Sequence, residues 1–574
     1  MDTAAASRGG GEEDRANKEN DSPNDSILQQ TTQAVSTPGG DEKVDTQLQR
    51  LGTANSHMSI SPARQIAVMV LMTLTQLCQM YPFGLGIGSG LSIANSLRTH
   101  DQRASQVIPP SALAEVEFGG GWIAASYPLT SGTFVLIGGR LGEVYGHKAM
   151  LTLGCVWWVI WQLASGFAPN LVVLCLFRGL AGAGGGFMVP NAVALIGITM
   201  PPGKKRNLAF GMFGAMAPVG AAGGTAVATL FVQLTEWKWA FFFGAMIGTV
   251  IYSTVLWFIP SDTAADRKGK IDWLGAYLGV GGLILFNFVW NQAPGVGWPT
   301  SYVYALLIVS LVHIASFAIW ESRWASSPIL PFDIWIAPSF GLLMVTVFFS
   351  FMSMGIFLWY TTLLCITVRG NSILLTAAYY QPLTIGGTAA AFLSAWLVTR
   401  IPAQYIVAIG NAALIISNAL VATVPASGQT YWAQIFPALF ISSFSIDFIF
   451  AASQVIASGS VSRKRQGVAA SLVGTLLTYG LSTGLGFAGT VETYTNGGGE
   501  HLRRGYANAN WLGVGLGGIG MVLALAFLRV PKSTQEGVST SLRNVDENDT
   551  TQLLTLYALL LVGQRIISLD RSLW

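Results

Sequence analysis

From about Ile66 to Val530 the chain alternates apolar runs of roughly twenty residues with short polar punctuation. Pro201-Pro202-Gly203-Lys204-Lys205-Arg206 and Ser462-Arg463-Lys464-Arg465-Gln466 are examples of that punctuation. A bilayer's hydrocarbon core is about 30 Å thick and a helix rises about 1.5 Å per residue, so each run can cross it. The pattern predicts an all-α, polytopic membrane protein of fourteen spanning helices. In chain order they are Ile66–Ala94, Gly121–Arg140, Met150–Phe167, Leu171–Thr199, Leu208–Leu234, Trp239–Ile259, Trp273–Trp290, Tyr302–Trp320, Phe340–Leu364, Leu374–Val398, Tyr405–Val424, Trp432–Ser458, Val468–Val491 and Trp511–Arg529. Residues 1–64 are polar and predict a disordered segment, because they cannot bury a core. Residues 531–574 read as a tail whose apolar stretch Leu553–Gly563 is too short to span.

Composition supports lipid as the solvent. Of 574 residues, 52% are hydrophobic and only 10% charged, against roughly 25% charged in soluble domains; the mean hydropathy is +0.51. A net charge of +3 gives no electrostatic footprint for a nucleic-acid partner. The four cysteines, Cys78, Cys155, Cys175 and Cys365, form no CxxC pair, so no metal site, cofactor or disulfide framework is indicated. The 66 glycines suit helices that approach closely in a membrane. No GxxxxGK[ST] pattern is present, which argues against ATP as the direct energy source. No basic start precedes an apolar segment, so no cleaved signal peptide is expected and the first span should act as the insertion signal.

Loop charge predicts orientation. Alternate loops carry Arg140 and Lys148; Lys204, Lys205 and Arg206; Arg267, Lys268 and Lys270; Arg323; Arg400; and Arg463, Lys464 and Arg465. The opposite loops carry only Arg98, Arg103, Lys238, Arg369, Arg503 and Arg504. The basic set is expected in the cytoplasm together with both termini, which would leave the sequons at Asn20, Asn24 and Asn548 unglycosylated.

Three local patterns carry a mechanism. Gly139-Arg140-Leu141-Gly142-Glu143-Val144-Tyr145-Gly146-His147-Lys148 joins spans 2 and 3. Its glycines permit a tight turn, and its charges can meet helix ends and one another. Arg178-Gly179-Leu180-Ala181-Gly182 puts an arginine inside an apolar run, where it should face a cavity. Pro218 among Gly214, Gly220, Gly223 and Gly224 makes a bent, closely packed fifth span.

Together these resemble signature motifs of the major facilitator superfamily, with Glu143 where the family usually has Asp, Ala181 for Gln, and Ala217-Pro218 for Gly-Pro. Trp237-Lys238-Trp239-Ala240-Phe241 resembles the element before span 6. Ile271-Asp272-Trp273-Leu274-Gly275, with Glu321 and Pro328-Ile329-Leu330-Pro331, resembles the two extra helices of the fourteen-helix drug:proton antiporter family. Asp447, Gln466-Gly467-Val468-Ala469-Ala470-Ser471-Leu472 and Thr490-Val491-Glu492 resemble the fungal group of aminotriazole-resistance and borate-efflux proteins.

The resemblance implies a major facilitator fold. It would have a six-helix bundle at 65–260, a linker with two inserted helices at 261–335, and a second bundle at 336–530. The two bundles would rock about a cavity lined by spans 1, 4, 9 and 12. Asp447 is the one carboxylate expected well inside a run, and it shares a helix face with Ser443, Gln454 and Ser458. Asp447 and Arg178 are the candidates for transport and proton coupling, with Arg178 as electrostatic counterpart or tuner. Gln76, Gln79, Ser443, Gln454 and Tyr379 are candidate cavity-lining residues. Gly139, Glu143, Gly146, Lys148, Pro218 and Gly220 are candidates for the conformational switch, with Glu143 expected near the start of span 13. The first span, Thr75-Gln76-Leu77-Cys78-Gln79, lacks the acid that related antiporters often carry there, which weakens the case for proton antiport. His313 is expected neutral and hydrogen-bonded.

The leading functional reading is a secondary exporter of small organic molecules (drug, toxin or secondary metabolite) driven by inward proton flow. It would be a monomer in the plasma membrane, or alternatively in the vacuolar one. One charge crossing 100 mV releases about 2.3 kcal/mol, enough to concentrate a neutral substrate some fiftyfold. The alternative is a carrier of small inorganic or polar solutes such as borate or ammonium. An intramembrane enzyme would need clustered polar catalytic groups, and Asp447 and His313 lie in separate helices.

Overall fold

The computed structural model describes residues 61–99, 113–200, 204–259, 262, 266–267, 269–331, 333–337, 339–398, 400–461 and 465–528. The expectations for residues 1–60 and 531–574, including the three sequons, fall outside these residues. The long helices are α1 (Pro62–Thr99), α2 (Leu113–Tyr145), α3 (His147–Ser165), α4 (Leu171–Thr199), α5 (Lys204–Leu234), α6 (Lys238–Phe258), α7 (Trp273–Val296) and α8 (Ser301–Arg323). They continue as α9 (Phe340–Leu363), α10 in two stretches (Ile373–Tyr379 and Gln381–Leu397), α11 (Ala403–Thr423), α12 (Ile435–Ser460), α13 (Gln466–Thr495) and α14 (Leu502–Ala526).

The fold is all-helical among the described residues, and eleven of these helices are long and apolar enough to cross a membrane. The expected count of fourteen is therefore not reached on this measure. The other three are α2, α3 and α10. Their reasons are local. The middle of α2 is uncharged but diluted by Ser126, Tyr127, Pro128, Thr130, Ser131, Thr133 and several glycines, α3 carries Lys148, three tryptophans and Gln162, and α10 is broken at Tyr380, before Pro382. A proline removes one helical N–H and crowds the preceding turn.

Two further boundaries depart from expectation. α2 begins at Leu113 rather than Gly121, and α14 at Leu502 rather than Trp511. No proline lies between Leu113 and Gly121 or between Leu502 and Trp511, so each helix propagates through these polar residues once its apolar part is packed. α9 runs on into a π-helical turn, Leu364–Val368.

Small residues set the closest helix crossings. A β-carbon on Gly84 would overlap the Ala221 carbonyl, and those on Gly220 and Gly224 would overlap the carbonyls of Leu77 and Tyr81. Glycines spaced four apart thus form a groove into which α1 and α5 fit backbone to backbone. Thr225 Oγ1 closes that seam by donating to the Gly84 carbonyl at 2.9 Å. Gly355 and Gly484 do the same for α9 and α13.

The inserted helix α7 lies against both α2 and α13, and α8 packs on α7 with most of its surface turned outward. α7 is held to α13 by polar contacts: Asn287 donates to Thr483 (2.8 Å), Asn291 to the Ser482 carbonyl (3.3 Å), and the Tyr479 hydroxyl to the Leu283 carbonyl (2.8 Å). Asp272 caps α7 by accepting from Gly275 N–H at 2.9 Å and also accepts from Trp320 Nε1 at 2.7 Å. Glu321, at the end of α8, accepts from the N–H groups of Ile329 and Leu330. The motif residues around Asp272 and Glu321 thus tie the ends of the inserted pair together.

Candidate functional site

Arg178 is 1% exposed in α4. Its Nε donates to the Ile123 carbonyl of α2 at 2.9 Å, and its Nη2 to the Pro82 carbonyl of α1 at 2.8 Å. The guanidinium also lies 5.9 Å from the centre of the Phe241 ring in α6. Gly86 makes room, since a β-carbon there would sit 2.6 Å from Nη2. Nη1 has no hydrogen-bond partner among the described residues. A buried arginine is costly unless its donors are met, and here carbonyls of two helices meet two of them.

Gln79 belongs to the same interior. Its Nε2 donates to Ser131 Oγ at 3.3 Å, and its main-chain carbonyl accepts from the Tyr127 hydroxyl, which in turn accepts from Trp158 Nε1. Gln76 is also buried, and its Oε1 is unpartnered among the described residues. Gln79 and Arg178 therefore stand among α1, α2 and α4.

Asp447 is not with them. It is partly exposed on α12, but its Oδ2 is enclosed and has no hydrogen-bond partner among the described residues. That oxygen lies 3.8 Å from where a β-carbon of Gly387 in α10 would be, and the Pro218 ring of α5 lies 3.2 Å from the same point. Asp447 thus sits at the junction of α5, α10 and α12, and no ion pair joins it to Arg178 among the described residues. Ser443, one turn away, is buried against Gly386 and donates to the Phe440 carbonyl at 2.6 Å. Gln454, two turns further on, donates to the Ala470 carbonyl of α13 at 3.1 Å. Tyr379 stacks on Tyr431 with ring centres 4.0 Å apart. His313 Nδ1 is 2.9 Å from the Val309 carbonyl of its own helix.

Four of the switch candidates, Gly139, Glu143, Gly146 and Lys148, gather at the end bearing the basic loops, whereas Pro218 and Gly220 lie inside α5, against Gly387 and Leu77. Gly146 has φ 99°, a backbone that suits glycine, and turns the chain directly from α2 into α3. Asp262 caps α3: its carboxylate accepts from His147 N–H at 2.7 Å and Lys148 N–H at 3.1 Å. A carboxylate here also meets the positive end of the helix dipole. Lys148 Nζ donates to the Ile259 carbonyl at 2.7 Å. Arg140 holds Glu143 (2.8 Å) and Asp266 (3.0 Å). The Glu143 carboxylate is therefore engaged by Arg140. A cleft of about 360 Å³ lined by Arg140, Glu143, Gly467 and Val468 separates it from the start of α13. Gly139 faces α13 directly, a β-carbon there coming 3.5 Å from Ser471 Oγ.

The opposite end holds a cluster that sequence reasoning missed. Glu117 in α2 is only 7% exposed and accepts a short hydrogen bond from the Tyr506 hydroxyl of α14. Glu492 in α13 accepts from the Tyr360 hydroxyl of α9 at 3.2 Å and from Asn496 Nδ2 at 3.3 Å. Asp447 is thus not the sole enclosed carboxylate. Glu117 fell outside the predicted second span because that span was begun at Gly121. The uninterrupted Leu113-Ala114-Glu115-Val116-Glu117-Phe118 was the available signal.

Long apolar helices, close glycine crossings and charged turns at one end are the build of a multi-pass membrane protein. Residues 91–486 match the Major Facilitator Superfamily, and the chain belongs to that family of transporters. It is similar to the low affinity ammonium transporter of Saccharomyces cerevisiae, 37% identical, over 71% of this chain and 80% of that one. It is also similar to efflux pump terJ of Aspergillus terreus, 36% identical, over 71% and 79%. The aminotriazole resistance protein of S. cerevisiae is 34% identical over 70% of this chain and 76% of its own length. The expected resemblance to the aminotriazole-resistance group is borne out.

Proposed function

We propose that the protein is a proton-coupled exporter of small organic molecules that works by alternating access. The observation that carries this reading is the placement of Asp447. Its carboxylate has one enclosed, unpartnered oxygen beside Pro218 and Gly387, where a helix of the first bundle meets two of the second. An unpaired carboxylate in an apolar setting is expensive, and a bound proton or a cationic substrate group removes the cost. A group so placed can take up a proton when the junction opens to one side and release it when the junction opens to the other. Arg178, tied to carbonyls of α1 and α2, positions the first bundle around the passage, with Gln76, Gln79, Ser443 and Gln454 as further polar groups near it.

In this reading α2, α3 and α10 also cross the membrane, giving fourteen spans in two bundles, 65–260 and 336–530, with the 261–335 pair between them. The basic end is cytoplasmic. The protein is a monomer of the plasma membrane, with the vacuolar membrane as the alternative. Gly139, Glu143, Gly146, Lys148, Pro218 and Gly220 serve the rocking motion rather than substrate contact. The relative named an efflux pump supports export of an organic molecule. The relative named an ammonium transporter supports a second reading, a carrier of small polar solutes.

The test is transport by inside-out vesicles under an imposed proton gradient, across a panel of organic cations, neutral toxins, borate and ammonium. Accumulation of an organic compound that collapses on adding a protonophore supports export. Movement of ammonium or borate alone supports the second reading. Accumulation unaffected by the protonophore contradicts proton coupling.

A further inference from the structure

The carboxyl groups of Glu117 and Glu492 lie within hydrogen-bonding reach of one another. They come from opposite bundles, Glu117 from α2 and Glu492 from α13. The tyrosines that hold them, Tyr506 and Tyr360, come from α14 and α9 of the second bundle. Thr367 Oγ1 lies 3.0 Å from the Tyr506 hydroxyl, and the Tyr360 and Tyr506 rings are 5.8 Å apart. One turn deeper, the Trp359 ring of α9 reaches within 3.0 Å of where a Gly120 β-carbon would be. On the far side of the same end, Leu374 N–H donates to Gln233 Oε1 at 3.1 Å, again between the two bundles. This end is therefore shut by contacts that cross from one bundle to the other, and the carboxyl pair is the part of the closure that depends on protonation.

We propose that Glu117 and Glu492 form a proton-operated latch that keeps the end opposite the basic loops closed. Two carboxylates in contact repel strongly when both are ionised, and a hydrogen bond between them needs one proton. Among the described residues neither has an ion-pair partner that could relieve the repulsion instead. Arg369, just after the π-helical turn of α9, keeps an enclosed Nη2 without a hydrogen-bond partner, but it makes no ion pair with either carboxyl among the described residues. Arg503 of α14 donates to the Val424 carbonyl, while Arg504 and, on α2, Glu115 are exposed. Helix α9 contributes Tyr360, and Arg98 at the end of α1 is exposed. Opening the end separates the pair, hydrates both carboxylates and releases the shared proton to water on that side. The closed state therefore binds one more proton than the open state. Acid on that side favours closure, and a rise in pH favours opening. This rests on the alternating-access reading of the chain, and it adds a protonation step remote from Asp447.

The test is a distance measurement that does not require transport. Spin labels are placed at two exposed positions at this end, Glu115→Cys on α2 and Arg504→Cys on α14. The full chain, with its native cysteines replaced, is then examined in lipid nanodiscs from about pH 5 to about pH 8. The expected result is a ratio of long to short distances that rises by up to about tenfold per pH unit, the slope for one linked proton. Glu117→Gln and Glu492→Gln should each flatten that response and keep the short distance, because an amide can donate to the remaining carboxylate without titrating. Tyr506→Phe should retain a pH response, since it leaves both carboxyls in place. Asp447→Asn should also retain it, which separates the latch from the transport proton. A pH-independent distance in the otherwise unmodified protein overturns the proposal. So does an unchanged slope in either glutamine variant. If neither glutamine variant folds, a flattened response in Glu492→Asp, whose shorter side chain breaks the contact, is the expected result and an unchanged slope is the contrary one.

Discussion

Gly387 of α10 faces Pro218 of α5 so closely that a β-carbon at position 387 would lie 3.2 Å from the proline ring. Asp447 Oδ2 stands 3.8 Å from the same point. The bend-forming proline of one bundle, a bare backbone of the other and an enclosed carboxylate thus occupy one junction. Gly387→Val should force these elements apart, at about 1–3 kcal/mol for overpacking. A lower unfolding temperature in detergent and reduced transport would both register it. Gly211→Ala on the same helix as Pro218 has nothing within 4 Å and should leave both measurements near wild type.

The turn between α2 and α3 makes a separate prediction. Asp262 supplies the cap that the α3 N-terminus lacks from its own sequence, because Gly146 has no side chain to offer. Asp262→Ala should cost about 0.5–2 kcal/mol, the usual range for a lost cap. Gly146→Ala should cost about 1–3 kcal/mol through backbone strain at φ 99°. Thermal unfolding followed by fluorescence size-exclusion chromatography checks both. A Gly146→Ala protein as stable as wild type would contradict the turn geometry.

For Arg178 the geometry of the donors matters as well as the charge. Lysine carries the same charge but cannot reach the Ile123 and Pro82 carbonyls with a planar fork. Arg178→Lys should therefore lose about 1.5–3 kcal/mol for at least one charge-assisted hydrogen bond. The expected readout is a lower unfolding temperature despite an unchanged net charge. Full stability in Arg178→Lys would show that the carbonyl contacts contribute little.

Much of the helix order was legible in the sequence because hydrocarbon thickness fixes span length, and the glycine and charge motifs mark turns in a way that needs no tertiary information. What stayed hidden depended on packing. The start of α2 was placed at Gly121 because Glu115 and Glu117 look like loop residues until a tyrosine from α14 is seen to satisfy one of them. Gln79 was expected to line the cavity because the family resemblance puts span 1 there, and its partner, Ser131 of α2, is a contact that only packing reveals. Arg178 and Asp447 were expected to act on one another, and three-dimensional placement gives each a different set of neighbours. Asp262 drew no attention as a single acid in a loop, since its role as a cap depends on a helix more than a hundred residues earlier.

The inserted helix α7 is joined to α13 through Asn287, Asn291, Ser482 and Thr483, all buried. Ser482 Oγ lies 3.0 Å from both the Ala125 carbonyl of α2 and Asn287 Oδ1, and its single proton can serve only one at a time. Asn287→Ala should destabilise the protein by about 0.6–2 kcal/mol, the range for polar contacts between membrane helices. It should also loosen α7 from α13, raising hydrogen exchange in both. Unchanged exchange in α7 would mean that apolar contacts such as the Trp290–Phe487 stack, 3.6 Å between ring centres, hold it unaided.

The most direct measurement is the pH profile of transport in inside-out vesicles with Asp447→Asn beside the unmodified protein. Asparagine keeps the shape of the side chain and removes its capacity to carry a proton. The account predicts that the variant folds and binds substrate but loses uphill, proton-driven accumulation, with at most downhill exchange that no longer varies with pH. Uphill accumulation with an unaltered pH profile in Asp447→Asn would contradict it.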